Sequence, residues 1–491
     1  MADQGHCAFI TSEMSPFAST GGLAEVSASL PEAMARRGWS MIQIMPMYRQ
    51  VIEGNFPLVE TGMVLNIPVG FHQFRAEVWR TAPEIQPAKY FIRRDEFFDR
   101  AHLYNLSYRD YEDNFERFVF FQKAAVALID ALERPVSLVH CNDWQTALMP
   151  LYLQHGVRGQ GRGKREKTLL TLHNLAYQGI FSGDEYSYSN LPFGCFSVEC
   201  LEFYGNINCL KGGINTADFL TTVSQTYAEE IQTEAFGYGL HGVISDARHR
   251  LRGITNGIDT QTWDPQTDSA LAKNYSVKDP SGKQHCKRAL LKLAELIIPD
   301  RGPLLGMVTR LSEHKGIDLL DEMIPDLMGS HSDLGLILLG DGDAQYEGMC
   351  LRWQSHWPGR IRVMNAFDRV LARQIIAGAD LYLMPSRYEP CGLNQLYAMR
   401  YGTVPVVHHT GGLADTVTDA DNSQTNGNGF VFSDYTVKAF QDAVQRAIRC
   451  FDRKAEAWRD LQNRGMAGDY TWDQSAAEYE KIYRQLHQSS S

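Results

Sequence analysis

Short apolar runs punctuate this chain, and between them apolar residues return every three or four positions. The first run is Cys7–Ile10 (CAFI), followed by Ser40–Pro46, Val136–Cys141, Thr168–Asn174 and Phe219–Ser224. A second series comprises Leu304–Arg310, Leu334–Gly340, Ile361–Phe367, Asp380–Pro385 and Thr403–His409. These runs are continuous rather than alternating, which suits strands covered on both faces. Their alternation with helical patterns predicts an α/β protein with doubly wound parallel sheets.

The strands are too many for one sheet. The natural cut follows Arg250–Arg252, at GITNGIDTQTWDP, where Asn-Gly, Gly and Pro read as a hinge. The expected domains are therefore residues 1–252 and 253–470. KDPSGK (Lys278–Lys283) reads as a surface turn before a helix. The tail WDQSAAEYEKIYRQL, about 471–487, has the spacing of one amphipathic helix, and the QSSS that ends the chain is expected to fray.

A length of 491 residues agrees with more than one core. A net charge of -11 argues against a nucleic-acid partner and leaves a neutral one, such as a sugar, open. Most of the 11% aromatic residues should be core, although that fraction is compatible with sugar stacking. The nine cysteines contain no C-x-x-C pair, Cys195 and Cys200 being nearest. That argues against a disulfide framework or zinc site and fits a reducing cytosol. The start, MADQGHCAFITSEM, has no charged leader before an apolar run, so no signal peptide is expected. No run approaches the roughly 20 residues that cross a bilayer.

One turn occurs twice. FASTGGLAEVSASL (Phe17–Leu30) follows the first strand and opens a helix, and TGGLA returns at Thr410–Ala414. Strand, glycine pair and helix start are the parts of a phosphate-binding turn, but a glycine pair alone is a weak signal, and a plain tight turn at Gly21-Gly22 is the alternative. Arg310 and Lys315 lie on a strand-to-helix turn and could clamp a diphosphate, or pair with Glu313 or Asp318. Glu389 follows a strand and precedes a helix start at Cys391-Gly392-Leu393. It could meet sugar hydroxyls and developing positive charge, or simply cap that helix. Asp143 and His173 each end a strand in the first half, where a satisfied loop residue is the plain alternative. Together these groups converge on the carboxyl ends of two sheets.

SEMSPFASTGGLAEV, VHCNDWQTAL, TLHNLAYQG, GITNGID, VTRLSEHKG, SRYEPCGLNQLYAMRYGT and TGGLADTV, spread over residues 12–417, resemble the bacterial glycogen synthases and plant starch synthases of glycosyltransferase family 5. The resemblance implies a GT-B architecture: two Rossmann-like domains facing across a deep cleft, the first for acceptor and catalysis, the second for the nucleotide sugar. The tail helix would cross back to the first domain. The implied reaction moves glucose from ADP-glucose to the non-reducing end of an α-1,4-glucan with retention, in the cytoplasm, without metal or other cofactor. Implied catalytic residues are Glu389, Arg310, Lys315, His173 and Asp143. Implied donor contacts are Gly21, Gly22, Asn256, Phe367, Cys391, Gly392, Leu393, Thr410, Gly411 and Gly412, with Gly411 and Gly412 as N–H donors to the distal phosphate. Tyr104 and Asp143 are implied on the acceptor side. One departure stands out: the family's lysine before Thr-Gly-Gly is Ser19 here. A related transferase using UDP-glucose or another acceptor, and a weakly active glucan-binding partner protein, remain alternatives.

Overall fold

The first apolar run becomes the centre of a nine-stranded sheet in the computed structural model, which describes residues 5–106, 109–157, 166–366, 368–421 and 426–488. The chain divides into two units, Met1–Gly257 with Trp472–Ser491, and Ile258–Thr471.

The sheet of the first unit contains β1 (His6–Ile10), β2 (Ser40–Pro46), β3 (Leu58–Val69), β4 (His72–Thr81), β5 (Ala88–Arg93), β6 (Leu138–Asn142), β7 (Lys167–Leu172), β8 (Phe219–Thr222) and β9 (Leu251–Gly253). Their order is β9-β8-β7-β6-β1-β2-β5-β4-β3. β1 and β6 are buried at every position, as the continuous runs require. The hairpin β3–β4 is antiparallel and largely exposed on one strand, so it carries no continuous apolar run and the sequence reading passes over it. β9 continues the sheet through Leu220↔Leu251 and Thr222↔Gly253, and Ile254 N–H donates to Thr222 O at 2.8 Å. This pairing keeps Gly253 and Ile254 on the sheet, and the first unit runs to Gly257, later than the expected cut after Arg252.

The tail helix, Trp472–Gln488, is part of the first unit. Trp472, Ala476, Tyr479, Ile482, Tyr483 and Leu486 form one face and join Phe9, Leu30, Met34 and Leu138 in a single core cluster. Fully burying each large apolar side chain contributes about 1.5–3 kcal/mol, so the helix is held by its stripe. Under it the His140 ring lies 2.7 Å from Tyr483 Oη and 2.6 Å from Thr171 Oγ1. Burial holds His140 far below its ordinary pKa, hence neutral.

The second unit contains β10 (Leu304–Val308), β11 (Gly335–Leu339), β12 (Ile361–Met364), β13 (Leu381–Met384), β14 (Val404–His408) and β15 (Phe430–Phe432). Their order is β12-β11-β10-β13-β14-β15, parallel throughout. Helices Ile317–Ser330 and Val437–Arg453 bury Leu320, Met323, Phe440 and Val444 against this sheet. Among the described residues no helix is long and apolar enough to cross a membrane.

Candidate functional site

In each sheet two neighbouring strands send their connections in opposite directions: β1 and β6 in the first unit, β10 and β13 in the second. The crevice beyond the carboxyl ends of such a pair is where doubly wound folds place ligands.

Past β1 the chain runs through Ser12 and Glu13 to the first glycine turn. Glu13 is 5% exposed, and its carboxylate accepts from Thr20 N (2.6 Å), Gly21 N (3.2 Å) and Thr20 Oγ1 (2.7 Å). Tyr104 Oη donates to the same carboxylate at 2.8 Å and lies 2.8 Å from Ser12 Oγ. Burial and the Glu13 charge push the Tyr104 phenol well above its ordinary pKa, so it stays a donor. The turn therefore already holds an anion, supplied by the protein. Gly21 N-caps the helix Gly22–Arg36 with φ −163°, extended backbone that any residue adopts, and a Cβ there would meet nothing within 4 Å. No internal contact requires glycine at Gly21; it faces open space, and Gly22 beside it is exposed.

Past β6 comes Asp143, with φ 55° and ψ −174°. That left-handed extended region is costly for any residue but glycine, by about 1–3 kcal/mol. The compensation is visible: Asp143 Oδ1 accepts from His173 N (2.7 Å) and Asn174 N (3.4 Å), which ties the end of β6 to the loop after β7. Burial pushes the Asp143 carboxyl up to about 7; the two N–H groups pull it down, and Glu13 adds to the rise. His173 Nε2 lies 2.9 Å from Asn142 Oδ1, whose own amide donates to Ile10 O at 2.9 Å. His173 Nε2 therefore carries the proton, and Nδ1 is an acceptor. Burial pulls this imidazole down to about 3, so it is neutral.

In the second unit Lys315 Nζ meets Glu389 Oε2 at 2.6 Å, and Ser386 Oγ donates to the same oxygen at 2.9 Å. The lysine follows β10 and the glutamate follows β13, so the ion pair spans the switch point. Neither alternative partner, Glu313 or Asp318, takes this lysine; Asp318 pairs with Arg387 at 3.4 Å. The turn is fixed by Gly316 at φ 74°, where a Cβ would stand 2.1 Å from Pro385 O. The neighbouring His314 ring stacks on Tyr388 with centroids 5.0 Å apart. Burial and the charge of Lys315 pull it down to about 4, with Glu389 opposing and Arg310 assisting. Arg310 itself is exposed, two residues past β10.

The second glycine turn is built differently from the first. Cβ atoms on Gly411 and Gly412 would stand 2.0 Å from Glu389 O and 2.0 Å from Cys391 O, respectively. These glycines let Thr410–Gly412 pack against the backbone carrying Glu389. Gly412 N–H donates to Glu389 O and Pro390 O, both at 3.1 Å. The expected phosphate-donor role of Gly412 thus meets an N–H already engaged. Gly392, at φ 69°, turns the chain, and Leu393 N-caps the helix Asn394–Arg400 that Cys391 was expected to open. Asn256 is 7% exposed, and its side-chain carbonyl has no hydrogen-bond partner among the described residues. Phe367 lies outside the described residues. Among those residues, no group of three His, Cys, Asp or Glu side chains could hold a metal ion.

Sequence reasoning missed Glu13. It is one acidic residue in SEM, and no spacing rule marks a carboxylate that folds back onto a turn seven residues later.

Residues 6–246 match the starch synthase catalytic domain family, and residues 292–461 match glycosyl transferases group 1. Glycogen synthase of Geotalea daltonii is 40% identical, covering 97% of this chain and 98% of its own. The chain belongs to the glycogen and starch synthase family. Glycogen synthase 2 of Geobacter sulfurreducens is 42% identical, over 97% of each chain. The catalytic domain of starch synthase IV from Arabidopsis thaliana, solved bound to ADP and acarbose, superposes with a TM-score of 0.90 at 31% identity over 99% of both chains. Sucrose-phosphate synthase from Thermosynechococcus elongatus, 19% identical with a TM-score of 0.61, shares the fold. The architecture is therefore that of GT-B glycosyltransferases, as this synthase family uses it.

Proposed function

We propose that this chain is a retaining glucosyltransferase that moves glucose from ADP-glucose to the non-reducing end of an α-1,4-glucan. The observation that carries this reading is the Lys315–Glu389 pair set across the second unit's switch point, in a chain aligned over nearly its whole length with glycogen synthases. The ADP in the starch synthase IV structure supports an adenine donor.

The reaction breaks the bond between the glucose anomeric carbon and a phosphate oxygen and leaves an anion. Arg310 and Lys315 are the cations offered to that anion, and fixed charges of this kind are worth most where water is excluded. The Thr410–Gly412 turn keeps the backbone of Glu389 in place, so Glu389 is positioned for the glucosyl group, whose ring becomes positively charged in the transition state. In the first unit, Asp143 and neutral His173 offer an acceptor and a fixed ring to sugar hydroxyls. Tyr104 acts through Glu13, and the exposed Gly21-Gly22 leaves room for a close-lying ligand. Asn256 has an unused carbonyl for a sugar hydroxyl. Retention follows from attack on the face the phosphate leaves, with a phosphate oxygen taking the proton of the incoming hydroxyl. A trapped covalent glucosyl–enzyme would contradict that step. The reading places the enzyme in the cytoplasm.

The test is a donor panel. Glycogen is incubated with ADP-glucose and with UDP-glucose, using the native chain and Ser19→Lys. Elongation by the native chain with ADP-glucose preferred supports the reading; preference for UDP-glucose transfers the chain to the alternative donor. If only Ser19→Lys is active, the native chain is not a working transferase and the glucan-binding alternative takes its place as the leading reading.

A further inference from the structure

We propose that Glu13 is a positioning residue for glucosyl transfer, holding the Thr20–Gly22 turn and Tyr104 in working order from below. This rests on the transferase reading above.

One buried carboxylate collects four donors: Thr20 N, Thr20 Oγ1, Gly21 N and Tyr104 Oη. Three come from the turn and one from a separate segment, so the carboxylate ties the two together at the carboxyl end of β1. Thr11 supports it: its hydroxyl donates to Glu13 O at 2.8 Å and lies 2.8 Å from Ser27 Oγ, on the helix that the turn opens. β1, Glu13, the turn and that helix form one hydrogen-bonded unit. Without Glu13, the N–H groups of Thr20 and Gly21 would lose the carboxylate that now accepts from both, and the turn would reorganise around other acceptors. The exposed face of the turn, from Ser19 to Gly22, would change shape with it.

The arrangement also bears on what the turn can bind. With the N–H groups of Thr20 and Gly21 spent on an internal carboxylate, and serine in place of the family's lysine, this turn is suited to hydroxyl groups rather than to a second phosphate.

Glu13→Gln, Glu13→Leu and Tyr104→Phe separate position from charge. A glutamine can turn its oxygen to the two N–H groups and its amide to the two hydroxyls, which are able to accept. Leucine satisfies neither. Steady-state transfer from ADP-glucose to glycogen is measured for all four proteins. Thermal melting of each, and amide hydrogen exchange at Thr20 and Gly21, are measured alongside. The expected result is a fall in kcat of about 30-fold or more in Glu13→Leu, corresponding to about 2 kcal/mol. Its donor KM should stay within about threefold of native, and exchange at Thr20 and Gly21 should be faster. Glu13→Gln should recover most of kcat and Tyr104→Phe should lie between. Should Glu13→Leu fail to fold, the Glu13→Gln and Tyr104→Phe pair decides: both at native rate overturns the proposal. Native kcat in Glu13→Leu overturns it too, and so does a change confined to KM. An inert native chain overturns the transferase reading and this proposal with it; an active native chain with indifferent variants overturns this proposal alone.

Discussion

Replacing Asp143 by Asn should stabilise the first unit, and more so as the pH rises. Burial raises the folded-state carboxyl from its ordinary 3.8 to about 7. Between those values the folded chain binds a proton that the unfolded chain has released, so stability falls as pH rises through the window. At about 1.4 kcal/mol per pH unit, the cost is about 1.5 kcal/mol at pH 5 and about 4 kcal/mol at pH 8. Asp143→Asn keeps an oxygen for the N–H groups of His173 and Asn174 and has no charge to bury. His173, pulled down to about 3, gives an opposite slope below neutrality, so native and variant must be compared at each pH. The assay is urea unfolding at pH 5 and pH 8, followed by two probes because two units need not unfold together. The variant's advantage should grow by about 2.5 kcal/mol between the two conditions, while its transfer activity collapses. A difference between native and variant that stays flat with pH would refute the buried-carboxyl argument.

The two glycine turns should respond oppositely to a methyl group. Gly412→Ala forces a Cβ to 2.0 Å from Cys391 O and should cost about 1–3 kcal/mol of stability by thermal melting. Gly21→Ala meets nothing within 4 Å and should change stability by less than about 0.5 kcal/mol, while transfer falls if a ligand approaches there. Lys315→Ala removes the partner that holds Glu389 at 2.6 Å and should lower kcat/KM by about one to two decades. Ser19→Lys returns a cation to the turn, and its donor KM should fall by about tenfold if the lysine reaches the diphosphate; an unchanged KM would show that the turn does not meet the donor's phosphates.

The parallel strands were legible because burial on both faces writes an unbroken apolar run, as in LVHCN and GLILL. The β3–β4 hairpin was not, since its LVETGMVLNIPV strand is mostly exposed. GITNGID looks like a hinge, whereas Leu251–Gly253 is an edge strand that continues the sheet, and the first unit runs on to Gly257. At the site, polar groups after strands were readable by position alone. Which groups meet was not: Lys315 and Glu389 are 74 residues apart, and only the neighbouring placement of β10 and β13 brings them to one ion pair. The repeated TGGLA also hid a difference. One copy faces open space at Gly21, and the other is packed on the Glu389 backbone, a distinction carried by tertiary contact and absent from the five letters.

The most direct test of the central claim is radiolabelled glucose transfer from ADP-glucose to glycogen by the native chain, with the product digested by an exo-acting amylase specific for α-1,4 linkages. The account predicts label in the polymer, its complete release by that enzyme, and loss of incorporation in Glu389→Gln. Label that resists the amylase, or incorporation unchanged in Glu389→Gln, would contradict it.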